Sequence, residues 1–143
     1  MAKHILCSID LTHIEDAKGL MLEAKRQASL DNAKITIMTV IPDYGSSWVG
    51  SFFKEGTLQK ATEVANQTLI DLIAEVLPDN NNVHRRVKVG VVYEKVLLTI
   101  KKLDVDLVII GAHKPTVIDN LMGPNAARIV RVSRVSTMVV RLN

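Results

Sequence analysis

Five short apolar runs along the chain predict five β-strands, at residues 4–9, 33–41, 83–89, 105–110 and 135–142. Between these runs, apolar residues recur every three or four positions. That spacing predicts helices at residues 12–29, 57–77, 93–102 and 123–133. Thr12 and Glu15 have the spacing of a capping box, which predicts that the first helix begins at this point.

Regular alternation of strands and helices predicts a single α/β domain. Most of the predicted strands are near-continuous apolar runs, which is typical of a parallel sheet with helices on both faces. The third strand is more polar, because it contains Arg85, Arg86 and Lys88, and we expect it at an edge of the sheet. The chain has 143 residues, enough for one full hydrophobic core. It shows no internal repeat and no interdomain linker.

The composition excludes several classes of protein. There is no apolar run of about 18 residues, so no membrane span is expected. The first residues lack the long apolar segment of a signal peptide. The single cysteine, Cys7, excludes an intrachain disulfide, and we expect it to be buried and inert in a cytoplasmic protein. The net charge of +3 is small, and without a clustered basic stripe nucleic acid is not an expected partner.

Residues 106–127 contain the clearest pattern of a binding site. An apolar strand stops at Gly111, which we interpret as a turn, and a polar segment with Lys114 follows. Gly123 and Pro124 then precede a helical pattern, and proline is favoured in the first turn of a helix. Glycine allows close backbone approach, and the free N–H groups of a helix start bind anions. This stretch therefore predicts a site for the phosphates of a nucleotide.

Ligands of such sheets bind beyond the carboxyl ends of the strands, where the strand order reverses. If the first and fourth strands are neighbours there, Asp10 and Gly111 lie on the same rim. His113 is the histidine of the predicted site. It is either a loop side chain that helps to shape the turn or a general base, which would need Asp10 or Asp119 as its partner. The dinucleotide fingerprint, the P-loop, zinc-ligand spacing and the nucleophile elbow are all absent. Enzymatic activity is therefore uncertain, and weak ATP hydrolysis is the most that we expect.

Several segments taken in order resemble the universal stress protein family. The resemblance is carried by Gly111-Ala112-His113-Lys114-Pro115, by Leu121-Met122-Gly123-Pro124-Asn125-Ala126-Ala127, and by residues 8–12, 39–42 and 139–141. It covers the whole chain and is similar to a subgroup whose loop between the two glycines is one residue shorter. The resemblance implies strand order 3-2-1-4-5, adenine-nucleotide binding and homodimers.

Carried over by position, the resemblance also implies a set of binding residues. Ser8, Ile9, Asp10 and Val40 would line the adenine pocket, Ile110 and Gly111 would lie by the ribose, and His113, Lys114, Gly123, Pro124, Asn125 and Ala126 would complete the phosphate end. Two positions depart from the commoner family pattern. Lys114 replaces a glycine. Pro124 replaces a serine or threonine, which removes a hydroxyl and a backbone N–H and should weaken phosphate binding by about 1–3 kcal/mol.

Three functions remain open from the sequence. The first is a stress-associated regulatory protein that binds ATP or AMP, with Mg²⁺ or Mn²⁺. The second, favoured by Pro124, is a nucleotide-free dimeric module that acts through protein contacts, and the third is a slow ATPase.

Homodimerisation is expected through the strand from Val135 to Leu142, because it is apolar on both faces and would be an exposed edge. The aromatic segment from Tyr44 to Phe53 is either a loop folded onto its own domain or a second contact.

Overall fold

The computed structural model describes residues 2–42, 55–79, 82–112 and 123–142. Within them lie five strands and four helices. The strands are β1 (His4–Ile9), β2 (Lys34–Pro42), β3 (Val83–Gly90), β4 (Leu107–Ala112) and β5 (Ser136–Arg141). The helices are α1 (Ile14–Asp31), α2 (Glu55–Val76), α3 (Val92–Lys102) and α4 (Pro124–Val132). The strands form one parallel sheet in the order β3-β2-β1-β4-β5, so the predicted α/β fold is confirmed.

Helices cover both faces of the sheet, because its central strands are apolar on both sides. In β1, the side chains of Ile5, Cys7 and Ile9 join a core with α1 and α2, whereas Leu6 joins a second core with α3 and α4. The alternation follows the two-residue period of a strand. We refer to the two sides as the α1–α2 face and the α3–α4 face.

The position of β1 in the sheet creates a crevice. β1 pairs with β2 on one side, from His4↔Lys34 to Ile9↔Thr39, and with β4 on the other, from Ile5↔Leu107 to Cys7↔Ile109. The chain adds β2 and β3 on one side of β1 and then β4 and β5 on the other. The strand order therefore reverses between β1 and β4. Parallel sheets bind ligands at such a reversal, beyond the carboxyl ends of the strands.

The interpretation of Gly111 as a turn was wrong. β4 continues through this residue, which pairs with Val140, and on to Ala112. A Cβ atom at Gly111 would lie 2.5 Å from Cδ1 of Leu142 and 3.1 Å from Cδ1 of Leu20. The missing side chain therefore allows the last leucine of the chain and helix α1 to pack closely on the strand.

The predicted capping box was also wrong. Helix α1 begins at Ile14, and its N-cap residue is His13, which makes no side-chain capping bond. Thr12 instead donates both its backbone N–H, at 2.9 Å, and its hydroxyl, at 2.6 Å, to Oδ1 of Asp10. An aspartate that accepts from the amide two positions later forms an Asx turn, and this local bond competes with the helix cap.

The expected burial of Cys7 and the expected edge position of β3 are confirmed. The Cys7 side chain is fully buried, and burial raises the pKa of its thiol to about 12. In β3, Arg85 is exposed and donates to the side chain of Asn66 on α2. In the part of the chain that the structure describes, no helix is long and apolar enough to cross a membrane.

A buried histidine joins three elements at the end of the sheet opposite the crevice. His4 is 8% exposed, with Nε2 at 2.7 Å from the hydroxyl of Thr36 and Nδ1 at 3.2 Å from the carbonyl of Leu103. A neutral ring satisfies both contacts, because Nδ1–H donates to the carbonyl and Nε2 accepts from the hydroxyl. Burial is the main reason why the pKa of His4 is lower than its usual value of 6.5.

We expect the free energy of unfolding to fall as the pH drops below about 6.5, because the unfolded chain binds a proton that the folded His4 resists. The contribution is fully present above that pH and is lost below it, with a slope of at most about 1.4 kcal/mol per pH unit. Urea unfolding between about pH 5 and pH 8 measures the slope. His4→Gln should flatten it.

An unchanged slope in His4→Gln would contradict this assignment. The neighbouring Asp106 does not interfere with the measurement. Its carboxylate accepts hydrogen bonds from the N–H groups of Lys3 and His4, which lowers its pKa below the usual value of 3.8. The stability that Asp106 contributes is therefore lost only at a pH lower than the range of the experiment.

Candidate functional site

A cleft of about 1140 Å³ opens at the carboxyl ends of β1, β2 and β4. Its walls also include the first turns of α1 and α4 and the first half of α2. The cleft therefore lies at the reversal of strand order. Its volume is slightly above the usual range of ligand pockets, which is about 300–1,000 Å³.

Ten of the twelve residues predicted for the site line this cleft. They are Ser8, Ile9, Asp10, Val40, Ile110, Gly111, Gly123, Pro124, Asn125 and Ala126. The other two, His113 and Lys114, lie outside the described residues, as do Asp119 and the aromatic segment from Tyr44 to Phe53. The fold thus brings together residues from four separate parts of the sequence, at the ends of β1, β2 and β4 and at the start of α4.

Two hydrogen-bonded groups fix the end of β1 at the floor of the cleft. Asp10 follows the strand, and its Oδ1 is held by the amide and hydroxyl of Thr12. Thr39, buried on the neighbouring strand β2, donates its hydroxyl to the carbonyl of Ile9 at 3.0 Å. The Asp10 carboxylate is therefore oriented by its own loop while it lies exposed at the cleft.

The start of helix α4 forms the opposite wall. Gly123 is the N-cap residue and Pro124 is the first helical residue. Proline has no N–H, so the first backbone donors of this helix belong to Asn125 and Ala126. Gly123 has φ −59° and ψ 163°, a conformation open to any residue. Among the described residues, no heavy atom lies within 4 Å of the place that a Cβ atom would take.

The side chain of Asn125 holds two helices together. Its Oδ1 accepts a hydrogen bond from the backbone N–H of Tyr93 at 3.1 Å. Helix α3 needs this acceptor, because its own N-cap residue, Val91, makes no side-chain capping bond. One turn further along α4, the guanidinium of Arg128 lies 5.1 Å from the centre of the Tyr93 ring. The resemblance implied that Asn125 faces phosphates, and in the structure its side-chain oxygen already has a partner within the protein.

Sequence reasoning missed the contribution of helix α2 to the cleft. Its lining residues are Thr57, Lys60, Ala61, Val64, Ala65 and Thr68. Ala61 and Ala65 recur at helical spacing along α2, and their small side chains were the available signal in the sequence. Lys60 is the cation among the described lining residues, which also include the carboxylates of Asp10 and Asp16.

The sequence model of the universal stress protein family matches residues 1–141. The chain is 27% identical over 146 aligned positions to universal stress protein G of Salmonella typhimurium, with 99% of the chain and all of the relative covered.

Two solved structures have the same fold. Universal stress protein UspA from Lactobacillus plantarum has a TM-score of 0.78 at 18% identity, with 97% of each chain covered. A universal stress protein in complex with cAMP has a TM-score of 0.68 at 16% identity, with 98% of this chain and 97% of that chain covered.

We expect Asn125→Ala to lower the free energy of unfolding by about 1 kcal/mol, because the amide of Tyr93 loses its acceptor at the start of α3. Asn125→Asp keeps an acceptor oxygen and should stay close to the wild type. Urea unfolding of the three proteins measures the difference. Equal stability of the alanine variant and the wild type would show that this bond does not cap α3.

Proposed function

The chain belongs to the universal stress protein family, and we propose that its cleft binds an adenine nucleotide, ATP or AMP. The observation that carries the proposal is the meeting of Asp10, Val40, Gly111 and the start of α4 around one cleft. The cleft lies at the strand-order reversal, where parallel sheets bind their ligands. An adenine nucleotide suits this cleft, because the nucleotide has a flat apolar base with polar edges and an anionic phosphate end.

At the base and ribose end, the cleft offers one oriented acceptor among apolar side chains. The Asp10 carboxylate accepts a hydrogen bond from the adenine amino group or from a ribose hydroxyl. Val40 and Ile110, at the ends of β2 and β4, provide the apolar contacts for the base and the sugar. A few polar groups in a mostly apolar cavity are typical of sites for small molecules.

At the phosphate end, the start of α4 offers the backbone N–H groups of Asn125 and Ala126 and the favourable end of the helix dipole. Lys60 contributes a positive charge from α2. Mg²⁺ or Mn²⁺ accompanies the phosphates in this proposal, since Mg²⁺ is usually held by phosphates with one or two carboxylates. Asp10 and Asp16 are the carboxylates of the described lining.

The complex of a structural neighbour with cAMP supports an adenine ligand in this fold, and it adds a ligand with one phosphate to the set that should be tested. Pro124 favours a second candidate function, a nucleotide-free module that acts through protein contacts. It removes one backbone N–H from the phosphate end. Denaturing extraction of the purified protein, followed by chromatography for nucleotides, separates the two functions.

We expect calorimetry with ATP, ADP, AMP and cAMP to detect binding of at least one nucleotide at or below millimolar concentration. Gly123→Val should abolish it, because the new side chain would enter open space beside the start of α4. The backbone conformation of Gly123 tolerates valine, so the variant should remain folded. The matched control is Gly19→Val, at another glycine with open space around it and outside the cleft.

The absence of any heat with all four nucleotides, together with a nucleotide-free extract, would overturn the proposal. Wild-type affinity in the folded Gly123→Val variant would instead place the phosphates away from α4. Loss of binding in the Gly19→Val control would mean that the effect of valine is indirect.

We also propose a homodimer through β5, which is an edge of the sheet and, within the described ranges, pairs only with β4. Its residues from Thr137 to Val140 are half-buried between the two cores. Met138 and Val140 contact the core of the α1–α2 face, and Val135 and Val139 contact that of the α3–α4 face. An apolar edge favours association unless it is covered, and a two-fold copy of the same strand covers itself.

We expect the protein to sediment as a dimer at micromolar concentration and the Met138→Lys variant to sediment as a monomer, because an unpaired charge is costly to bury in the seam. Met138→Leu is the control for the loss of methionine itself. Circular dichroism of each variant checks that the chain remains folded, since Met138 also contacts its own core. A wild-type monomer, or a lysine variant as firmly dimeric as the wild type, would contradict pairing through β5.

A further inference from the structure

The two helical faces of the domain carry opposite charge. Helices α3 and α4 contain five lysines and arginines and one glutamate. Helices α1 and α2 contain four lysines and arginines and eight aspartates and glutamates. The small net charge of the chain, +3, therefore conceals a basic α3–α4 face and an acidic α1–α2 face.

Among the described residues, internal ion pairs partly neutralise the acidic face, and none of these pairs involves the basic face. All three ion pairs found in the described residues belong to α1 and α2: Lys18 with Glu15, Lys18 with Glu75, and Arg26 with Glu23. Across the described ranges, none of the cations of α3 and α4 has a carboxylate oxygen within 4 Å. This basic charge is therefore available to a partner.

The same basic face exposes large apolar side chains. Leu98 on α3 is 60% exposed, and Val130 and Val132 on α4 are 42% and 48% exposed. Lys101 on α3 and Arg131 on α4 are also exposed. The helices are held side by side by the contacts of Tyr93 with Asn125 and Arg128. Apolar residues among unpaired cations match a partner with apolar residues among carboxylates.

We propose that the α3–α4 face, through Leu98, Lys101 and Arg131, binds an acidic amphipathic helix of another protein. Charge complementarity selects an acidic partner, and the exposed leucine and valines select one with an apolar stripe. Nucleic acid fits less well, because the aromatic residue of this face, Tyr93, is already covered by Arg128. The α1–α2 face of a second copy fits less well, because Glu15, Glu23 and Glu75 are already in ion pairs within that face.

The experiment uses the full chain and a fluorescent synthetic peptide of about 18 residues, with leucine at helical spacing and glutamate elsewhere. Three further probes are a peptide with lysine in place of glutamate, polyglutamate of the same length, and a short DNA duplex. We expect the leucine–glutamate peptide to bind at least about tenfold more tightly than each of them at low salt. Added salt should weaken this binding.

Matched substitutions on the two faces locate the site. Lys101→Glu should weaken peptide binding about tenfold or more, and Lys25→Glu, at an exposed lysine of α1, should leave it unchanged. Leu98→Ser should weaken it several-fold, and Leu30→Ser, at a leucine of α1 that is 73% exposed, should leave it unchanged. Circular dichroism checks the fold of each variant, so that a loss of binding is not a loss of structure.

Each alternative result overturns the proposal in a different way. Equal binding of polyglutamate would show that the apolar residues take no part. Tighter binding of the DNA duplex would identify the face as a site for nucleic acid. Equal losses in the α1 and α3 variants would mean that binding follows the net charge of the chain. Salt-sensitive self-association that Lys101→Glu removes would identify the partner as a second copy.

Discussion

Burial of β1 on all sides is the constraint on which the rest of the structure depends. The strand has neighbours at both edges, and its side chains enter a core on each face. One strand cannot be covered on both faces unless the chain crosses from one side of the sheet to the other. The crossing that follows β3 brings α3 and α4 to the second face and β4 to the free edge of β1. The crevice opens between β1 and β4, where the two halves of the sheet part.

The residues around this crevice serve the fold as well as the cleft, and the same atoms often do both. Gly111 is small because Leu142 and Leu20 pack against it, whether or not a ligand lies nearby. The side-chain oxygen of Asn125 accepts the hydrogen bond that completes the start of α3. The group of Asn125 that we assign to anion binding is its backbone N–H. Asp10 organises the turn before α1 through Thr12. A substitution at any of these positions therefore changes stability and the shape of the site together, which is why matched controls matter.

The sequence predicted the strands and helices well, and every predicted boundary falls within two residues of the observed one. The reason is that burial on one or both faces sets the spacing of apolar residues in a strand or a helix. It did not predict contacts between distant positions. A glycine after an apolar run resembles a turn until Leu142 is known to pack on it. Asn125 and Tyr93 are 32 positions apart, and nothing local marks one as the cap of the other. Thr12 and Glu15 have the spacing of a capping box, but a nearer acceptor, Asp10, takes the threonine hydroxyl.

The two edges of the sheet differ in a way that limits how copies can add to one another. At one edge, β3 carries Arg85, Arg86 and Lys88, and charged side chains of this kind discourage a further strand. At the other edge, β5 is apolar towards both cores and carries no such charge between Ser136 and Val140. A further strand can therefore add more readily at β5 than at β3. When two copies pair through β5, both apolar edges are covered, and the two edges that remain are the charged β3 strands. Such a pair has no apolar edge from which a fibre could grow.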